Sequence, residues 1–342
     1  LDEYGEDGAD RLDHETLAES LELWANKDDI KILVSSRPHR EFQSAFSDEL
    51  RIKLHDLTKL DIARFGRNMF EKDKNFSRVE HCYKGLVNKV VDYSDGVFLW
   101  ARLAIRSLLM AVGRCEAVDS LEKQLDNIPK DINDFYEKLL GSINPSDRIK
   151  TFKMLLLAGQ LRGNLVPMAL TWIDNLDDPK FPTSYKIEPY TEEEIREREL
   201  VAELQIDYYT KGLLEIRTYL NDNSKFIFNK RVQFFHRTLH DFVSHSQQLR
   251  AFSAEYPAFG CRQARMQTLL AGLWFAKTKY ITANIFYMLI LDEFASLPSG
   301  EARDAWFDAY ARVLDYHQQS GNTSFRGWFT SPGRNGNITG AE

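Results

Sequence analysis

The sequence predicts a mainly α-helical fold with a small α/β part near its N-terminal end. Three observations carry that prediction. Apolar residues recur at helical spacing from Thr58 to about residue 143. One short apolar run, Ile30 to Val34, broken only by Lys31 and without strict alternation, follows an amphipathic segment, as in a strand covered on both faces. Between residues 213 and 235 the period changes to two.

Composition sets the frame for these elements. A chain of 342 residues with 43% hydrophobic and 28% charged content is ordinary globular protein. That length suggests roughly two to three units, each with its own core. The net charge of -7 and a pI near 5.7 repel nucleic acid and anionic lipid at long range. Cys82, Cys115 and Cys261 form no C-x-x-C pair, so neither a disulfide framework nor a cysteine zinc site is expected, and the chain reads as reduced and cytoplasmic. The most apolar stretch, "VFLWARLAIRSLLMAV", carries Arg102 and Arg106 one helical turn apart. It is expected to be an amphipathic core helix, and no membrane partner is expected.

In chain order, residues 14–27 have helical spacing through Leu17, Leu21 and Trp24, and the run at 30–34 follows as a strand. "LRIKLHDL" alternates at Leu50, Ile52 and Leu54 and is expected to be a neighbouring strand. Thr58 is a suitable N-cap for a helix over 59–71, and further helices are expected at 79–93, 97–112, 115–125 and 131–142. Asp131 or Asn133 caps the last of these. Helices at 146–160 and 166–174 precede an irregular stretch, 177–189. Thr191 and Glu194 then form a capping box, with Glu194 and Arg198 as an i,i+4 pair. "LLEIRTYL", the turn "NDNS" and "KFIFNKRVQFF" make a β-hairpin. Helices followed by a hairpin suggest a winged-helix-like unit. Helices return after His236 and at 262–278, 282–296 and 301–318, and the tail is expected to be loose.

Few residues point to chemistry. Asp2 and Glu3 are adjacent carboxylates, which at a strand end could handle magnesium and polarise an attacking water; an isolated pair is more often a solvated loop. Arg37 follows the apolar run, where open α/β sheets bind ligands, and its planar fork suits phosphate oxygens; a capping or ion-paired surface arginine is the plainer alternative. His236 and His240 are spaced i,i+4, but no nearby cysteine and no H-E-x-x-H glutamate complete a donor set, so no metal site is expected. There is no G-x-S-x-G elbow.

In order and spacing, "LDEY", "ILVSSRP", "LHDLTKLDIARF" and "VVDYSDGVFLWARLAI" resemble the second half of a fungal NACHT domain, from the STAND class of NLR-like signalling NTPases. The resemblance covers residues 1 to about 250. It implies that Asp2 and Glu3 belong to an extended Walker B motif, with the magnesium-binding aspartate just before residue 1, and that Arg37 is the sensor 1 arginine that reads the γ-phosphate. Gly96 falls in the family's G-x-P motif, where Phe98 replaces the proline that packs beside the adenine. "VQFFHRTLHDFV" is similar to the MHD motif: His236 matches the histidine that contacts the diphosphate of bound ADP, and Arg237 stands in the aspartate position.

No G-x-x-x-x-G-K-[ST] loop occurs, and the chain contains no Gly-Lys pair, so the backbone cradle and lysine that hold phosphates are missing. The expectation is a truncated nucleotide site whose P-loop and first strands precede residue 1; a degenerate protein is the alternative. The expected units are a C-terminal remnant of a P-loop NTPase sheet at 1–56, a helical domain at 57–128, a winged-helix-like domain at 129–250, a helical extension at 251–325 and a tail at 326–342. ATP or GTP with Mg2+ is expected in the complete parent and no tight cofactor in this chain, which alone is expected not to hydrolyse nucleotide. The implied partners are the missing N-terminal half of the NACHT domain, effector and sensor domains, and further copies on activation. The implied role is a nucleotide switch in fungal non-self recognition or cell-death signalling. Two other classes remain: a nucleotide-independent interaction scaffold, and a winged-helix DNA-binding protein using Lys225, Lys230 and Arg231. Asp174, Asp177 and Asp178 disfavour nucleic acid.

Overall fold

The computed structural model describes residues 13–36, 39–47, 49, 51–218, 230–257, 262–275, 290–294 and 300–319. The fold is mainly α with a small α/β part. Helix α1 (His14–Ala25) begins where the Asp13 carboxylate accepts the Thr16 amide at 2.7 Å. Its buried face is Leu17, Ala18 and Leu21, while Trp24, expected on that face, is exposed. Helix α2 (Arg40–Ala45) adds Phe42, and these four side chains form a small core separate from the main one.

Two expected strands are not strands. Residues 30–36 are irregular backbone with Leu33 93% exposed, and residues 51–53 are irregular up to the start of α3 (Leu54–Glu71). A strand is completed by its neighbours, and among the described residues no other strand lies beside either segment. Helix α3 also begins a turn before the expected cap: Thr58 lies inside it, and its hydroxyl reaches the carbonyls of His55 (3.1 Å) and Gly96 (2.9 Å).

Helices α4 (Tyr83–Ser94), α5 (Phe98–Gly113) and α6 (Val118–Asp126) complete a bundle with α3. Helix α5 is its central member, burying Trp100, Leu103, Ile105, Leu108 and Val112, as its apolar stripe requires. Asp131 caps α7 (Ile132–Gly141) by accepting the amides of Asn133 (2.8 Å) and Asp134 (3.0 Å). Helix α8 (Pro145–Leu161) is followed by a 3-10 helix, Pro167–Trp172, in place of the expected α-helix.

The capping box of α9 (Glu192–Tyr209) forms as expected: Thr191 N donates to Glu194 Oε2 (2.7 Å) and Glu194 N to Thr191 Oγ1 (3.2 Å). Strands β1 (Leu214–Thr218) and β2 (Lys230–Phe234) pair antiparallel, with Leu214 opposite Phe234 and Thr218 opposite Lys230; the expected turn between them lies outside the described residues. A third segment touches this ladder, since Val232 N donates to Leu165 O at 2.8 Å.

Helices α10 (Arg237–His245) and α11 (Gln247–Glu255) pack on α8. Helix α12 (Arg262–Phe275) lies against α8 and α13 (Glu301–Gln319), whose buried His317 donates from Nε2 to Leu273 O at 2.9 Å. Parts of the expected helices at 262–278 and 282–296, and the tail at 326–342, lie outside the described residues. One connected apolar core runs from Ile62 to Val313. Among the described residues no helix is long and apolar enough to cross a membrane.

Candidate functional site

Asp2, Glu3 and Arg37 lie outside the described residues; Gly96, Phe98 and His236 lie within them. Gly96 sits between α4 and α5 with φ +76°, after Asp95, which is itself left-handed at φ +44°. A Cβ on Gly96 would lie 2.3 Å from His55 Cβ. Only glycine lets this corner close onto the start of α3. Phe98, the first residue of α5, is partly exposed and packs its ring 4.9 Å from that of Phe65.

His236 is the N-cap of α10. Its Nδ1 accepts the Thr238 amide at 3.3 Å and lies 2.9 Å from Thr238 Oγ1, which in turn lies 3.0 Å from the hydroxyl of buried Tyr136. Because Nδ1 accepts from an amide, it carries no proton. The Thr238 hydroxyl therefore donates to Nδ1, and the Tyr136 hydroxyl donates to Thr238. In the neutral ring the proton is on Nε2, which is left as a donor suited to an anion. Burial, and then neighbouring Arg237, hold the His236 pKa below its ordinary value, while burial pushes the Tyr136 phenol up to about 12.

Helix α5 joins these two places. Arg102, one turn beyond Phe98, lies over the Phe235 ring at 4.5 Å and donates from Nη2 to Glu215 Oε2 at 3.0 Å. Arg106, one turn further, reaches Asp207 at 2.7 Å and passes directly over Gly212. Gly212 has φ +86°, and a Cβ there would lie 2.4 Å from Arg106 Cδ. Burial works to raise the Glu215 pKa, but hydrogen bonds from Arg217 and Arg102 outweigh it and hold the carboxyl below its ordinary range. The two arginines thus pin the helix that starts at Gly96–Phe98 to the corner between α9 and β1 and to the residue before His236. Their spacing in an apolar helix is visible in the sequence and by itself excludes a membrane span. A cation on the inner side of a core helix also demands an acidic partner, and the sequence carries that demand without naming the partner.

The basic residues of the hairpin are less available. Lys230 is held by Glu203 at 2.7 Å and Glu199 at 3.5 Å, and Lys225 lies outside the described residues. The outer face of α9 presents Leu200, Leu204 and Tyr208, which are exposed and apolar where a duplex-reading helix would be basic. Asp174 and Asp177 are paired with Lys150 (3.1 Å) and buried Lys153 (2.6 Å).

Residues 148–271 match the family described as Domain of unknown function (DUF7791). Neither a curated protein nor a solved structure matches the chain. The matched stretch runs from α8 to α12 and includes both hairpin strands and His236.

Proposed function

We propose that this chain is the regulatory portion of a NACHT-type signalling NTPase, a cytoplasmic nucleotide switch in fungal non-self recognition or cell-death signalling. The observation that carries the reading is the Arg102–Arg106 clasp. It links Gly96–Phe98, at the position of the family's adenine-side motif, to His236, at the position of its diphosphate-contacting histidine. A change of nucleotide at one end of α5 is then felt at the hairpin and α10.

A second observation supports the missing half of the site. Leu33 is almost wholly exposed, and Ile30 and Val34 are partly exposed, which is a poor state for an apolar run in water. In the proposed parent this run is a strand of a sheet whose other strands and phosphate loop come from the N-terminal half of the NACHT domain. Asp2, Glu3 and Arg37 then serve the magnesium and γ-phosphate side, and His236 Nε2 donates to the diphosphate. ATP or GTP with Mg2+ supplies the charge that these groups read. The exposed apolar face of α9 is where the reading places self-association on activation.

Equilibrium dialysis tests the reading on the 342-residue chain and on a longer product of the same gene that carries a P-loop. The expected result is tight magnesium-dependent nucleotide binding by the longer protein only, with ADP retention weakened by His236→Ala. Equal, nucleotide-independent behaviour of both proteins would reject the switch and leave the interaction scaffold.

A further inference from the structure

We propose that His14, His39 and Glu41 form a binding site for one zinc-type divalent cation, which ties α1 to α2. One ligand atom from each of the three residues lies within 4.8 Å of the other two. The imidazole centroids of His14 and His39 are 4.5 Å apart. The inference is independent of the nucleotide reading, because it rests on side chains of α1 and the start of α2 alone.

The behaviour of His39 is the second observation. It is the N-cap of α2, yet its side chain makes no capping hydrogen bond, and its Nε2 is buried with no hydrogen-bond partner among the described residues. His236 shows the alternative, since as an N-cap it uses Nδ1 to accept an amide. A buried ring nitrogen without a partner loses its hydration and gains nothing in return, unless a ligand completes it. His14 is equally free of capping duty, because Asp13 already caps α1.

The donor set selects the class of metal. Two imidazoles and one carboxylate suit zinc, whereas calcium and magnesium favour all-oxygen shells. Bonds of about 2.0–2.1 Å place tetrahedral donors roughly 3.4 Å apart, so the widest pair must close by about 1.4 Å at most. Phe42, 5.3 Å from the His14 ring and 6.2 Å from that of His39, forms an apolar wall, and the exposure of Glu41 lets a water reach the cluster as fourth ligand.

The unit that this cation would hold is small. Its core is Leu17, Ala18, Leu21 and Phe42, and packing on that scale gains much from a metal staple. The metal would fix the chain at His39 against the first turn of α1.

The test uses the purified 342-residue chain, reduced and stripped of metal, titrated with zinc in competition with a chromophoric chelator. Cobalt(II) serves as a visible-absorption reporter of tetrahedral coordination. The expected result is one zinc per chain, with affinity lowered by more than about tenfold in His14→Ala, His39→Ala and Glu41→Gln. His240→Ala and His245→Ala should bind as the unaltered chain does. Circular dichroism checks that each variant folds, and hydrogen exchange of the unaltered chain should show zinc-dependent protection confined to residues 13–47. Absence of stoichiometric zinc binding, binding retained by a His14→Ala/His39→Ala double variant, or protection elsewhere would overturn the proposal.

Discussion

Gly96 shows how much one missing methyl group can decide. Its left-handed backbone and the 2.3 Å approach of a virtual Cβ to His55 make Gly96→Ala both strained and clashing. The substitution should cost about 2–4 kcal/mol, read as a lower urea midpoint, whereas Gly113→Ala, whose Cβ would meet nothing nearer than 3.8 Å, should change stability by no more than about 0.5 kcal/mol. Motif order singled out Gly96 in the sequence, but its close neighbour lies forty-one residues away and could not be read there. Buried His317 supplies a second measurable effect. Burial outweighs its hydrogen bond to Leu273 and lowers its pKa from the ordinary 6.5. The unfolded chain therefore takes up a proton first, so stability is full above that value and falls as pH drops from 6.5 towards the folded pKa. Denaturant midpoints measured from about pH 8 to pH 5.5 should fall on the acid side and flatten in His317→Gln. An unchanged slope in that variant would assign the loss to other groups, such as His236.

Among the elements, helices that carry their own punctuation were legible. Asp131 and Thr191 cap α7 and α9 where the sequence places them, because a cap depends on residues two or three positions apart. The run at 30–34 was not legible as irregular backbone, since a strand depends on partners elsewhere in the chain. The clasp between α5 and the hairpin was hidden for the same reason: Arg102 and Glu215 are 113 positions apart. It is open to a double-mutant cycle. Arg102→Ala and Glu215→Gln should each destabilise by about 1–3 kcal/mol, with a coupling of about 1–2 kcal/mol, because both side chains are largely withdrawn from solvent. The Glu215 pKa is depressed in the fold, so the coupling is present above its ordinary value of 4.5 and is lost as pH falls through the folded value. Zero coupling at neutral pH would mean that α5 is held to the hairpin by packing alone, and would remove the main support for the switch reading.

At the scale of the whole molecule, the described residues divide into two cores of very different size. From α3 onward one connected apolar core reaches α13, while α1 and α2 share four buried side chains. The mainly helical class was legible because helical periodicity dominates the sequence. The division was not, since Trp24, Ile30, Leu33 and Val34 read as core in a linear pattern but are exposed in the fold, and of that run only Ile32 packs against the small core. Local stability should follow the cores. Backbone amides at Leu103, Ile105 and Leu108 in α5 are surrounded by fully buried neighbours, so they should exchange only when the large core unfolds. Amides at Leu17 and Leu21 in α1 need only the loss of a four-residue cluster. Native-state hydrogen exchange should therefore place the opening free energy of α1 and α2 about 2–4 kcal/mol or more below that of α5. Raising denaturant should bring α5 into exchange through a steeply denaturant-dependent opening, while α1 exchanges with little dependence because so little surface is exposed. Equal protection of α1 and α5 would show that the small unit unfolds only with the rest. Its four buried side chains would then need a further source of stability, and the His14, His39 and Glu41 cluster is the first place to look.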